Sequence, residues 1–117
     1  MPAQNHKKVK LSGSRWSVER TRDGAGDSGS MLLALDPKKK FKGPLTHQEQ
    51  LVVGELGEIR VGCAVLVGSY MARSYQHQDW WRTTLVKKIT RVVQKGKEVI
   101  EVRFKTVNGS DYIARSV

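Results

Sequence analysis

One cysteine, three histidines and few aromatic rings, 7% of residues, are what this sequence has least of. Cys63 alone leaves no partner for an intrachain disulfide and no thiolate cluster for a metal. Its neighbours, Val61-Gly62 and Ala64-Val65, predict a buried, inert thiol that suits a reducing cytoplasm. No apolar run approaches the roughly eighteen residues of a membrane-spanning helix, and the opening MPAQNHKKVK lacks the apolar stretch of a secretory signal. Membrane insertion and export by that route are not expected, and the expected localisation is cytoplasmic.

Catalytic groups are equally sparse. His6, His47 and His77 stand far apart with no metal-ligand spacing, so each is read as a surface residue. Gly26-Asp27-Ser28-Gly29 superficially matches the serine loop of trypsin-like proteases, but the only upstream histidine is His6 and no barrel precedes it. An accidental match in a flexible loop is expected there. No Gly-rich phosphate loop with its lysine occurs, and Asn108-Gly109-Ser110, which fits a glycosylation acceptor, reads better as a turn. The 117 residues hold one domain and exclude large catalytic folds. A non-enzymatic protein is expected, without cofactor, metal or small-molecule substrate.

What is present is positive charge: 21 Lys and Arg against 11 Asp and Glu, for a net +10. Such an excess attracts polyanions over a Debye length, which makes nucleic acid or an acidic protein surface the expected partner. Solubility is the plainer use of the same charge. Residues 1–44 hold ten basic and four acidic side chains, a net +6, and the remainder holds eleven and seven, a net +4. More than half of the excess thus precedes the expected domain.

Residues 1–30 combine Gly13, Gly24, Gly26 and Gly29 with polar residues and scattered Val9, Leu11, Trp16 and Val18, a composition that predicts a mobile arm. The apolar MLLAL at 31–35 is either a strand docked on the later domain or a motif awaiting a partner. Pro37 and Pro44 bracket four lysines and Phe41 in an exposed linker, so residues 1–44 are expected as a flexible basic arm that can be removed with the domain still folded. Residues 45–117 are the expected β-barrel domain. Thr46-His47-Gln48-Glu49 reads as a capping box that starts a short helix through about residue 53. Residues 61–70 predict a buried strand, 71–79 a polar loop, and 80–93 a strand with a bulge near Leu85 and Val86. Residues 98–106 alternate cleanly, with Ile100, Val102, Phe104 and Thr106 inward. Asn108-Gly109 predicts a two-residue type I′ turn, which puts Phe104 opposite Ile113 in the core and Lys105 opposite Tyr112 outside.

A strand, a long polar loop and three strands joined by tight turns resemble an SH3-like small barrel over residues 61–117. The pattern Trp81-Arg82-Thr83-Thr84-Leu85-Val86, followed by Phe104-Lys105-Thr106-Val107-Asn108-Gly109-Ser110-Asp111-Tyr112, is similar to small bacterial and phage proteins with an Arg-Thr-Ser/Thr strand and a Thr-x-Asn-x-Ser-x-Tyr hairpin. The resemblance implies a mainly β fold of about five strands, a relation to Tudor-like barrels, and no particular activity. A five-stranded OB barrel is the rival fold, tight for the residues after Leu45.

The expected binding residues follow from these placements. Lys7, Lys8, Lys10, Lys38, Lys39, Lys40 and Lys42 of the arm would meet phosphates. Arg73, Tyr75, Trp80, Trp81 and Arg82, in or beside one loop, with Lys105 and Tyr112 on the outer face, would add stacking and charge. Rings that stack on unpaired bases at about 1–3 kcal/mol each favour single-stranded DNA or RNA. One of Trp80 and Trp81 must face inward on a strand, which is the ordinary core role of a tryptophan. An aromatic cage for methylated lysine, with Asp79 as its acid, suits the charge poorly. The alternative class is a protein-interaction adaptor of phage or plasmid origin that docks on a host protein or nucleoprotein complex.

Overall fold

The computed structural model describes residues 6–36, 55–68 and 80–117, with only the backbone at Trp80. Nine strands follow one another: β1 (Lys8–Lys10), β2 (Trp16–Arg20), β3 (Gly26–Gly29), β4 (Met31–Leu35), β5 (Glu58–Arg60), β6 (Ala64–Gly68), β7 (Trp80–Lys95), β8 (Glu98–Thr106) and β9 (Asp111–Ser116). Seven form one sheet in the order β3-β2-β9-β8-β7-β6-β4, antiparallel throughout. The edge strands β3 and β4 are separated in the chain by Ser30 alone. One residue spans at most about 3.6 Å, so the two edges must meet, and the sheet curls into a nearly closed small barrel. The remaining pair, β1 and β5, sets Val9 opposite Ile59 and adds both to the barrel core with Leu11.

Three expectations are corrected. The main sheet has seven strands rather than about five, because residues 16–29, expected in a mobile arm, supply β2 and β3, and the 31–35 segment adds β4; β1, from the same expected arm, pairs with β5. Their apolar residues look scattered but sit two apart, Val9 and Leu11, then Trp16 and Val18, which is strand spacing with one wet face. Leu11, Trp16, Val18 and Leu32 are all core residues, and Gly26-Asp27-Ser28-Gly29 is not a loop but β3, paired with β2. Among the described residues there is no helix; the one expected over 46–53 falls outside them, as do residues 1–5 and 37–44 of the expected arm.

The third correction is the last hairpin. Phe104 faces Tyr112, Lys105 faces Asp111 and Arg103 faces Ile113, one position away from the expected register. The turn has three residues rather than two: Gly109 N–H bonds Thr106 O at 2.9 Å, Thr106 N–H bonds Ser110 O at 2.9 Å, and Gly109 takes φ +88°. That is a type I turn followed by a left-handed glycine, and the extra residue flips every later side chain to the other face. Tyr112 therefore lies in the core, 3% exposed, stacked on Phe104 with centroids 5.3 Å apart.

The MLLAL segment docks as β4 along β6, from Met31 opposite Gly68 to Leu35 opposite Ala64. Beside it Gly57, at φ +89°, donates to Leu32 O at 2.8 Å and accepts from Leu11 N–H at 2.8 Å, so one residue ties β4 to the segment after β1. A Cβ there would sit 2.5 Å from Leu11 O and 3.2 Å from the Trp16 ring, which leaves glycine as the residue that fits.

Candidate functional site

The longest strand, β7, carries two bulges against β8 near its middle, besides a third shift between Val93 and Gln94 where the extra residue is Ile100 of β8. Its register against β8 shifts between Val86 and Lys88 and again between Ile89 and Arg91, each time by one extra residue on β7. Burial then runs in threes: Val86 in, Lys87 and Lys88 out, Ile89 in, Thr90 and Arg91 out. A regular strand turns every second side chain inward. The two bulges instead hold two of every three outward, which crowds three cations onto six residues of surface without burying any of them.

These residues line a groove of about 770 Å³ whose opposite wall carries His6 and Lys7. The walls are stitched together at one end. Val61 N–H donates to Lys7 O at 2.8 Å, and the next amide, Gly62, donates to Val86 O at 2.9 Å. Lys7 is thereby held beside the start of the Lys87-Lys88 stretch by backbone bonds.

Five cations elsewhere on the described surface are neutralised in pairs. Lys10 pairs with Glu55, Arg20 with Asp23 at 2.8 Å, Arg103 and Arg115 with Glu101 at 3.2 and 3.0 Å, and Lys105 with Asp111 at 4.0 Å. Arg115 first, then Arg103, holds the Glu101 carboxyl below its ordinary range. Arg20, through two hydrogen bonds, does the same for Asp23. Lys7, Lys87, Lys88 and Arg91 have no carboxylate within ion-pair distance among the described residues. Across the ladder Lys88 faces Lys105 and Arg91 faces Arg103, like charges in positions where opposite charges would stabilise.

Of the residues expected from sequence, Lys7, Lys8, Lys10 and Arg82 are exposed, and Lys7 alone of them lines the groove. Lys105 is half-buried and paired with Asp111. Trp81 is half-buried and meets Tyr112 edge-on, centroids 5.7 Å apart, so Trp81, Tyr112 and Phe104 form a continuous ring stack running into the core. Tyr112 is thereby removed from the surface on which it was expected. Lys38, Lys39, Lys40, Lys42, Arg73 and Tyr75, and the side chain of Trp80, lie outside the described residues. Lys87, Lys88 and Arg91 escaped notice because period-two reading treats Val-Lys-Lys-Ile-Thr-Arg-Val as broken alternation. Read at period three it is one apolar residue followed by two polar ones, the mark of a strand bulged twice.

Cys63 is a free thiol, 6% exposed, and burial pushes its pKa above the ordinary value. The described residues hold no cluster of three or more metal-ligating side chains and no helix long and apolar enough to cross a membrane. Compared with protein-family models, with curated proteins and with solved structures, the chain matches none.

Proposed function

We propose that this protein is a non-catalytic nucleic-acid-binding module, an SH3-like barrel working in the cytoplasm, whose groove between residues 6–7 and β7 seats the phosphate backbone. The observation that carries the proposal is that four cations, Lys7, Lys87, Lys88 and Arg91, line one groove and, among the described residues, have no carboxylate within ion-pair distance. A polyphosphate supplies the missing countercharge at each of them and relieves the like-charge pairs Lys88 with Lys105 and Arg91 with Arg103. Lys38, Lys39, Lys40 and Lys42 add further phosphate contacts in this reading, and Arg73, Tyr75 and Trp80 precede the strip in sequence on the way into β7, where base stacking belongs.

The test is binding of a fluorescent 20-mer (about two duplex turns) by the full chain and by the K87E/K88E/R91E variant, with thermal unfolding recorded for both. All three substituted side chains are exposed, so the fold is expected to persist while affinity drops at least tenfold. Equal affinity in both proteins would refute the groove, and no binding at micromolar protein would refute nucleic acid as ligand.

A second reading, the adaptor, draws on a different feature of the same place. Beyond Val86, β7 has a strand neighbour only on its β8 side among the described residues, so its other backbone edge faces the groove. An acidic extended segment of another protein can add there as a strand. The bulges interrupt such a ladder, which is why this reading stands second. Competition separates the two: an acidic peptide that displaces the oligonucleotide tenfold better than an equal charge of polyphosphate favours the adaptor.

A further inference from the structure

Beside its four cations the groove is lined by side chains of two other kinds. Val61 and Val92 are half-buried: each packs against the barrel core, and its remaining surface lines the groove. His6, Thr90 and Gln94 contribute an aromatic ring, a hydroxyl and an amide. Thr90 is the extra residue of the second bulge, so the irregularity that holds Arg91 outward delivers a hydroxyl beside it. Thr90 and Gln94 are exposed, and none of the three side chains hydrogen-bonds another described residue.

We infer that this groove receives unpaired bases: a single strand lies along β7 with its phosphates on the four cations and a base turned in over Val61 and Val92, where His6 stacks and Thr90 and Gln94 meet base edges. The inference rests on the nucleic-acid reading above and deepens it by naming the class of strand and the residues that meet its bases. A phosphodiester has no apolar face, and cations alone suffice to hold it. Apolar surface set among cations adds affinity only when part of the ligand covers it, which the flat face of a base does. The size agrees: about 770 Å³ falls within the roughly 300–1,000 Å³ of sites that enclose a small organic group. A duplex cannot fill it that way. Its bases are paired and stacked inside an outline wider than its own major groove of about 12 Å, so it reaches only the rim, with phosphates. In an unpaired strand both faces and edges of a base are free, and imidazole is among the rings on which splayed bases stack. The Gln94 amide can donate to and accept from one base edge, and the Thr90 hydroxyl can do either.

The experiment measures binding by the full chain and by the H6A/T90V/Q94A variant, with thermal unfolding recorded for both. The ligands are a single strand of about twelve nucleotides, a length one small barrel can cover, the same strand annealed to its complement, and an abasic strand of the same length that keeps every phosphate. Each is made as DNA and as RNA; the tighter of the two single strands identifies which the groove takes, and the comparison is then made with that chemistry. For the wild type we expect the single strand to bind at least tenfold tighter than the duplex and the abasic strand. The variant should lose that preference and bind all three as the wild type binds the abasic strand. No lysine or arginine is altered, so its slope of log K against log salt should stay within about 1 of wild type. If the duplex or the abasic strand binds the wild type as tightly as the single strand, or a folded variant keeps the preference, bases do not enter the groove, although the phosphate contacts still stand. If no oligonucleotide binds, this inference and the proposed function fall together.

Discussion

Replacing Thr83 by valine keeps the side-chain shape and removes the one oxygen that closes a gap between β6 and β7. Pairing there runs from Ala64 opposite Leu85 to Leu66 opposite Arg82, so two steps on β6 face three on β7 and the ladder misses a bond. Val65, wholly buried, donates its N–H to Thr83 Oγ1 at 3.1 Å, and that hydroxyl donates onward to Thr84 O at 2.6 Å. A valine leaves the Val65 N–H buried and unpaired, at a cost of about 2 kcal/mol. For a chain of this size that is a fall of about 8 °C in Tm. Thermal unfolding measures the loss, and native-state hydrogen exchange at Val65 measures its location. Thr83→Ser keeps the hydroxyl and should retain Val65 protection. A T83V protein with wild-type Tm and wild-type exchange at Val65 would refute the role given to the hydroxyl.

Removing residues 1–42 should abolish cooperative unfolding, because the deletion takes β1 to β4 and with them Leu11, Trp16, Val18 and Leu32. At about 2 kcal/mol each that burial is on the order of 8 kcal/mol, comparable with the whole stability of a domain, and a truncated chain that melts sharply would contradict it. Glu101 and Asp23 titrate below their ordinary values of 4.5 and 3.8 in the folded protein, so the unfolded chain takes up protons first as pH falls. Their contribution is complete at neutral pH and is lost on acidification through the carboxylate range; urea midpoints should be level from about pH 7 to 5 and decline below about 4.5. Cys63, buried with a raised pKa, should react with a thiol reagent only on the unfolding timescale, and fast labelling of the native protein would disprove its burial.

Much of the later half was legible in the sequence. Strand β8 lies at the expected residues 98–106 because Val102, Phe104 and Thr106 alternate with charged residues, the simplest signal a half-buried strand can give. The MLLAL strand and the bulged character of the segment after Trp80 also follow from local composition. The front of the chain was misread because glycine and charge were weighed above the two-apart spacing of Trp16 and Val18, whose burial depends on β9, nearly a hundred residues away in sequence. Tyr112 was misplaced by a single turn residue, since Asn-Gly fits both a two-residue turn and the end of a three-residue one. The cationic groove needed the fold: Lys7 and Lys87 are eighty residues apart and meet only through the bonds of Val61 and Gly62.

The central claim is that unneutralised cations on a doubly bulged strand hold phosphates, and the salt dependence of oligonucleotide binding measures it most directly. Each phosphate contact contributes about 0.7 to 0.9 to the slope of log K against log salt, so the K87Q/K88Q/R91Q variant should show a slope shallower than wild type by about 2 to 3. A wild-type slope near zero, or a variant slope equal to that of the wild type, would contradict the account.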